Sequence, residues 1–105
     1  MRRFRVSLRG RDFVLTLDGE RQRLGFHTTR VVEAASAAEA RERALALLAE
    51  HAAVARPTNG PEDPAPVVLV DAVEPLPWWA RVPARQPGLA FYPEDASETA
   101  ERPLA

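Results

Sequence analysis

The chain has 105 residues, which is enough for one hydrophobic core and too few for two. Apolar residues make up 46% of it and charged residues 28%, a composition that argues against a wholly disordered protein. No apolar run is long enough to span a bilayer and the first residues do not resemble a leader peptide, so we expect a cytoplasmic protein. The absence of cysteine excludes disulfides, Cys-based zinc sites and thiol nucleophiles.

Charge is distributed unevenly along the chain, although the net charge is only −1. Residues 1–30 contain eight arginines and three acidic residues, whereas residues 31–105 contain six arginines and twelve acidic residues. Such segregation permits a basic face on a nearly neutral molecule.

The first segment alternates between apolar and polar residues. Phe4, Val6 and Leu8 fall on one side, and this period of two predicts a half-buried strand. The opposite side faces solvent and carries arginines. Together with Arg11, which follows the predicted strand, we call these residues the arginine row: Arg3, Arg5, Arg9 and Arg11.

Two more strands are predicted before the first helix. A turn at Gly10 separates the first strand from residues 13–17, which again alternate. Asp18 and Gly19 are typical of a type I′ hairpin turn, because both residues tolerate the positive φ that this turn requires. Residues 24–33 then have the composition of a third strand.

A single amphipathic helix is predicted over residues 37–54, where Ala, Leu, Glu and Arg dominate. Ser36 and Glu39 form a capping-box pattern at its start, and Pro57 prevents its continuation. The alanines on its apolar side would allow a close approach to a sheet.

Arg41 falls within the apolar side of this helix, close to Leu45 and Leu48. An unpaired charge is costly in such surroundings. We therefore expect its side chain to extend to solvent or to pair with Glu33 or Asp71, and a ligand carboxylate is a further alternative.

The second half of the chain is predicted to be less regular. Residues 55–66, rich in proline, form an exposed loop, and residues 67–73 form a buried strand with neighbours on both edges. An extended arm begins at Leu76, and residues 97–105 form a flexible tail. The whole is an α+β protein with an antiparallel sheet of about four strands and one helix on one face, in β-β-β-α-β order, within a single domain of residues 1–96.

Two segments carry a resemblance to a known family. Residues 25–34 read G-F-H-T-T-R-V-V-E-A, and residues 88–94 read G-L-A-F-Y-P-E. They resemble a family of uncharacterised small bacterial proteins that share the motifs G-F-x-T-T-R-x-V-E-A and G-x-x-F-Y-P-E. The resemblance implies a stand-alone domain and transfers no catalytic residue.

Two groups of polar residues are candidates for function. The arginine row could bind phosphates of a nucleic acid, or it could be a solvated face that resists edge-to-edge pairing. The second group, the polar strand cluster, could perform acid–base chemistry or form a polar cross-strand ladder. Its members are His27, Thr29, Arg30 and Arg41.

No metal or cofactor is expected. His51 lies near the predicted end of the helix, where a cation interacts favourably with the helix dipole. Two histidines without cysteine make a poor metal site.

The arm contains large aromatic residues that the predicted core does not need, namely Trp78, Trp79, Phe91 and Tyr92. They could anchor a partner at an interface, or they could cover the core of their own domain. The leading functional hypothesis is a non-enzymatic protein-interaction or regulatory module that forms a homodimer. The alternatives are nucleic-acid binding by the arginine row, and a small hydrolase or transferase that uses His27 and Arg30.

Overall fold

The computed structural model describes residues 1–83 and 88–93. Four strands form one antiparallel sheet in the order β3-β1-β2-β4, and α1 packs against one face of it. This arrangement confirms the predicted α+β class. The elements are β1 (Arg2–Leu17), β2 (Glu20–Ala34), α1 (Ala37–Ala49), α2 (Ala52–Ala55), β3 (Val67–Leu76) and β4 (Ala90–Pro93).

The element order differs from the prediction because β1 is one long strand where two were expected. Gly10 does not turn the chain. Instead, a bulge between Gly10 and Phe13, with Asp12 at φ 61°, bends the strand without ending it. The fourth strand of the sheet is β4, which comes from the C-terminal arm.

The hairpin between β1 and β2 forms as predicted. Asp18 and Gly19 have φ values of 50° and 82°, so both lie in the left-handed region that a type I′ turn requires. The turn fixes the register, which pairs Leu17 with Glu20.

The core lies between the sheet and α1. Phe4, Val6 and Leu8 are buried on the side that faces the helix, which we call the inner face. Arg3, Arg5 and Arg9 alternate with them and point to the other side of the sheet, the outer face, as the alternation predicts. The helix contributes small and aliphatic side chains that let it lie close to the strands: Ala40, Ala44 and Leu48.

The helical segment begins as predicted and ends early. The hydroxyl of Ser36 accepts a hydrogen bond from the N–H of Glu39 at 3.2 Å. The segment then breaks after Ala49, and His51 caps the short α2, its Nδ1 accepting from the N–H of Ala53. His51 thus lies directly after the end of α1, near the predicted position, and starts the next helix.

Arg41 extends to solvent, the first of the alternatives expected for it. Arg41 is exposed, because α1 turns Ala40 and Ala44 toward the sheet and the next residue along a helix lies about 100° away. The side chain needs no buried partner.

The last strand before the arm, β3, was predicted to lie inside the sheet, and it lies at an edge. Its apolar residues pack against the core from one side only, and none of them is fully buried. The predicted tail, residues 97–105, lies outside the described residues. Within residues 1–83 and 88–93, no helix is long and apolar enough to cross a membrane.

Candidate interaction surface

The two tryptophans follow β3 and project into solvent. Trp78 is 85% exposed and Trp79 is 68% exposed. They lie in a turn that is closed by a hydrogen bond from the N–H of Ala80 to the carbonyl of Pro77 at 2.9 Å. We call residues 77–80 the Trp turn. Large aromatic side chains are rarely left in water unless they serve an interface.

Arg3 attaches the Trp turn to the sheet. Its Nη1 donates a hydrogen bond to the carbonyl of Trp78, and its Nε donates to Glu33 on β2 at 3.3 Å. The guanidinium therefore joins the turn to β1, on which Arg3 lies, and to the neighbouring strand. This connection holds the backbone of the turn while leaving both indole rings free.

A groove of about 620 Å³ lies beside the Trp turn, between α1 and the adjoining part of β2. Glu33, the partner of Arg3, lines this groove, and so does Val82, which comes three residues after Trp79 and is 38% exposed. On the helix side, Leu47 of α1 lines the groove. Glu33 and Val82 therefore connect the groove to the Trp turn, one through Arg3 and the other along the chain.

The other two aromatic residues of the arm belong to the domain itself. Phe91 packs its ring against that of Phe26, with the centroids 5.6 Å apart. Tyr92 stacks on His27 with the centroids 5.1 Å apart. A side chain on Gly25 would collide with the Tyr92 ring, so the two lie in close contact. The aromatic residues thus divide into two that cover the sheet and two that face solvent.

The arginine row faces solvent, as expected, but three of its members have acidic partners. Arg3 pairs with Glu33 at 3.3 Å and Arg5 with Glu74 at 3.6 Å. Arg9 pairs with Asp71 at 3.5 Å, and Arg11 is exposed near the bulge. The outer face is therefore a ladder of mixed charges rather than a continuous basic surface.

The polar strand cluster is not one site. His27 and Thr29 are exposed on the outer face, whereas Arg30 is buried on the inner face opposite Val6. Arg41 lies on the exposed side of α1. His27 and Arg30 could not act together on one small substrate, because the sheet separates their side chains.

Arg30 is the one charged side chain that is fully buried within residues 1–83 and 88–93, at 4% exposure. Its Nη1 donates to the hydroxyl of Thr28 at 2.6 Å and to the carbonyl of Thr29 at 2.9 Å. Desolvation by burial lowers its pKa, although an arginine stays charged at any ordinary pH. In the described part of the chain, no carboxylate pairs with it. Arg30 lies on the same face of β2 as the buried Phe26 and Val32, as the period of two along a strand requires.

A shallow depression of about 420 Å³ on the outer face brings together Ser7, His27, Thr29 and Asp71. The carboxylate of Asp71 is already paired with Arg9. Over the described ranges, no hydrogen bond joins Ser7 to His27, and no three potential ligands are grouped to hold a metal ion. Ser7, His27 and Asp71 are thus the residue types of a catalytic triad, but in the described part of the chain the hydrogen bond that would activate the serine is not formed.

Sequence reasoning missed the connection through Arg3. The alternation placed Arg3 in solvent but gave no reason to link it to Trp78, which lies 75 positions away. Only the pairing of β3 with β1, which sets Leu76 opposite Arg3, brings the two together.

No family model, curated protein or solved structure matches the chain. The resemblance to the small bacterial family therefore stays a hypothesis that depends on the two motifs alone.

Proposed function

We propose that this protein is a non-enzymatic interaction module that forms a homodimer and binds a partner protein through the Trp turn. The observation that carries the proposal is the exposure of two adjacent indoles on a turn held by hydrogen bonds. Tryptophan buries a large area with only two side-chain torsions, and it is among the commonest residues to dominate binding energy at interfaces. A turn whose backbone is already fixed loses little further entropy on binding.

The chemistry around the turn indicates the kind of partner. Trp78, Trp79 and Val82 are apolar, and Arg81 among them is exposed. A short segment that combines apolar and acidic side chains would complement this surface. The two indoles offer about 400 Å², roughly half of what one partner contributes to a standard interface. This area fits a short, weakly bound segment.

The other two hypotheses have less support from the geometry. Catalysis by His27 and Arg30 would need both side chains at one place, and they lie on opposite faces of β2. Nucleic-acid binding depends on cations that are free to neutralise phosphates, and Arg3, Arg5 and Arg9 each have a carboxylate within 3.6 Å. We place the module in the cytoplasm as part of the same proposal.

Selection from a random-peptide display library tests the proposal. The selection uses wild-type protein as bait and removes peptides that bind the Trp78→Ser/Trp79→Ser variant. We expect enriched peptides that contain apolar and acidic residues and bind wild type with micromolar affinity. Their affinity for the double variant should be at least tenfold weaker.

The control is Arg11→Ser, which changes an exposed residue eight positions along β1 from Arg3 and should bind the peptides as wild type does. Circular dichroism of the variants establishes that each is folded. If no peptide is enriched, or if the peptides bind the double variant as well as wild type, the proposal is refuted.

A further inference from the structure

One edge of the sheet is left open. The strand β3 is ten residues long, and among residues 1–83 and 88–93 it pairs only with β1. Its other side therefore presents backbone N–H and C=O groups that no described strand pairs with. Such an edge readily pairs with another extended chain. The side chains of this strand are mostly apolar and only partly buried, which adds to that tendency.

Elsewhere in the described part of the chain, the strand edges are partly covered, and the outer side of β4 is open over only four residues. Where β1 continues beyond β3, Val14 donates to the side chain of Asn59 and accepts from the N–H of Thr58, both at 3.0 Å. On the other side of the sheet, β4 pairs with β2, and farther along β2 the carbonyl of Glu33 accepts from Arg43 at 2.8 Å. The open side of β3 is thus the longest open edge among the described strands.

The sequence of this edge is complementary to itself. Residues 66–75 read P-V-V-L-V-D-A-V-E-P, with a proline at each end. If two copies pair antiparallel about an axis between Val70 and Asp71, Pro66 lies opposite Pro75. Proline has no backbone N–H, so the ladder between copies ends at the same point on both sides. Eight residues of each copy remain to pair.

On both sides of the central Val70–Asp71 pair, where the bulge lies, this register also matches the faces of the two copies. Val68 and Val73 both point to the inner face, since they lie opposite Gly10 and Val6 of β1. They would be neighbours across the axis. A continuous sheet requires such agreement, and a shift by one residue would set inner against outer side chains.

The bulge in β3 is what makes the faces agree. Residues an odd number of positions apart normally point to opposite sides of a strand, and Val68 and Val73 are five apart. The register shift between Ser7 and Leu8 leaves Asp71 as an extra residue of β3, which compensates for that offset. Leu69 and Ala72 become outer-face neighbours in the same way.

The charges on β3 are compatible with the pairing. Asp71 and Glu74 are already paired with arginines of β1, at 3.5 Å and 3.6 Å. In the proposed register they lie opposite Val70 and Val67 of the other copy. Carboxylates therefore do not face one another across the axis, which would be destabilising.

We infer that a second copy of this chain pairs with β3 edge to edge, antiparallel, about a two-fold axis between Val70 and Asp71. Two four-stranded sheets then become one continuous sheet of eight strands. The inference rests on the homodimer of the proposed function and specifies its interface. Each Trp turn follows the outer end of a paired strand and stays free for a partner protein.

A pair of charge variants tests the register, with light scattering as the measure of mass. In Leu69→Glu/Ala72→Glu, each new carboxylate lies opposite another in the other copy, and we expect the dissociation constant of the dimer to rise at least tenfold. In Leu69→Glu/Ala72→Lys, each carboxylate lies opposite an ammonium, and we expect affinity within threefold of wild type. Both positions are on the outer face, so the monomer should fold in both variants.

Cysteine cross-linking provides a second measurement, because the chain has no cysteine of its own. A mixture of Leu69→Cys and Ala72→Cys proteins should form the mixed disulfide under a mild oxidant faster than either protein alone forms its own. Equal rates would contradict the register even if the charge variants failed to fold.

The outcomes separate this inference from the proposed function. If the Glu/Glu variant dimerises as tightly as wild type, the edge interface is overturned. The same holds if both charge variants dimerise equally weakly. A dimer that persists in the Glu/Glu variant and is lost in Trp78→Ser/Trp79→Ser also overturns it, while leaving an interaction module whose self-contact is the Trp turn. A wild-type monomer at 100 μM or so, a concentration that populates most specific dimers, refutes the homodimer and the edge interface together.

Discussion

Replacing Gly10 with alanine should destabilise the protein, because the ring of Phe26 occupies the space that the new methyl group needs. A Cβ on Gly10 would lie 2.0 Å from Cε2 and 2.4 Å from Cδ2 of that ring. Carbon atoms in contact are about 3.5–4.0 Å apart, so the ring would have to move by about 1.5 Å or more.

The surroundings of Phe26 leave the ring nowhere to move. Its side chain is fully buried, and it packs against Phe13 and Phe91 with centroids 5.3 Å and 5.6 Å away. Overpacking a dense core costs about 1–3 kcal/mol, and a clash this close belongs at the upper end, about 3 kcal/mol. For a domain of this size such a loss lowers Tm by about 12 °C or more.

Urea unfolding followed by far-UV circular dichroism measures this effect. Gly88→Ala is the matched control, because a Cβ at Gly88 meets no atom of the described residues within 4 Å, and its stability should equal that of wild type. The double variant Gly10→Ala/Phe26→Leu should lose less stability than the two single variants together, since the smaller side chain relieves the clash. The reasoning is refuted if Gly10→Ala lowers the free energy of unfolding by less than about 0.5 kcal/mol. It is also refuted if the losses of the two single variants simply add in the double variant.

Two further predictions concern charged groups. Arg30→Met removes a buried charge and keeps most of the packing, so we expect an unchanged or higher urea midpoint. A clear fall in the midpoint would show that the hydrogen bonds of the guanidinium outweigh the cost of its desolvation. The N–H of Gly60 and the guanidinium of Arg21 lower the pKa of Asp63. Its stabilising effect is therefore complete above about pH 4, the unfolded value, and is lost as the pH falls through the folded pKa. The urea midpoints of wild type and Asp63→Asn should differ at pH 7 and converge in acid, and a pH-independent difference would contradict this assignment.

The sequence was informative where one local rule acts alone. The alternation of Phe4, Val6 and Leu8 predicted which face of β1 is buried, since a strand has only two faces. Asp18 and Gly19 predicted the hairpin because few residues tolerate positive φ at both positions. Ser36 marked the start of α1 for a comparable reason, its hydroxyl satisfying a free backbone N–H.

Prediction failed where distant pairing decides the outcome. Gly10 can serve a turn or a bulge, and only the uninterrupted β2 opposite it shows which one forms. The apolar run from Val67 resembles an internal strand, yet the position of a strand in the sheet is set by topology. The exposure of Trp78 and Trp79 depends on where Arg3 holds the turn, and the arm alone contains no sign of that contact.

The chain contains two tryptophans, and both lie on the Trp turn. Its intrinsic fluorescence therefore originates almost entirely at one small surface and should already resemble that of free indole in the native state. Unfolding would change this signal little, whereas a ligand that covers Trp78 or Trp79 would shift the emission to shorter wavelength. The molecule thus carries its own optical reporter of occupancy, which needs no label and responds to binding rather than to stability.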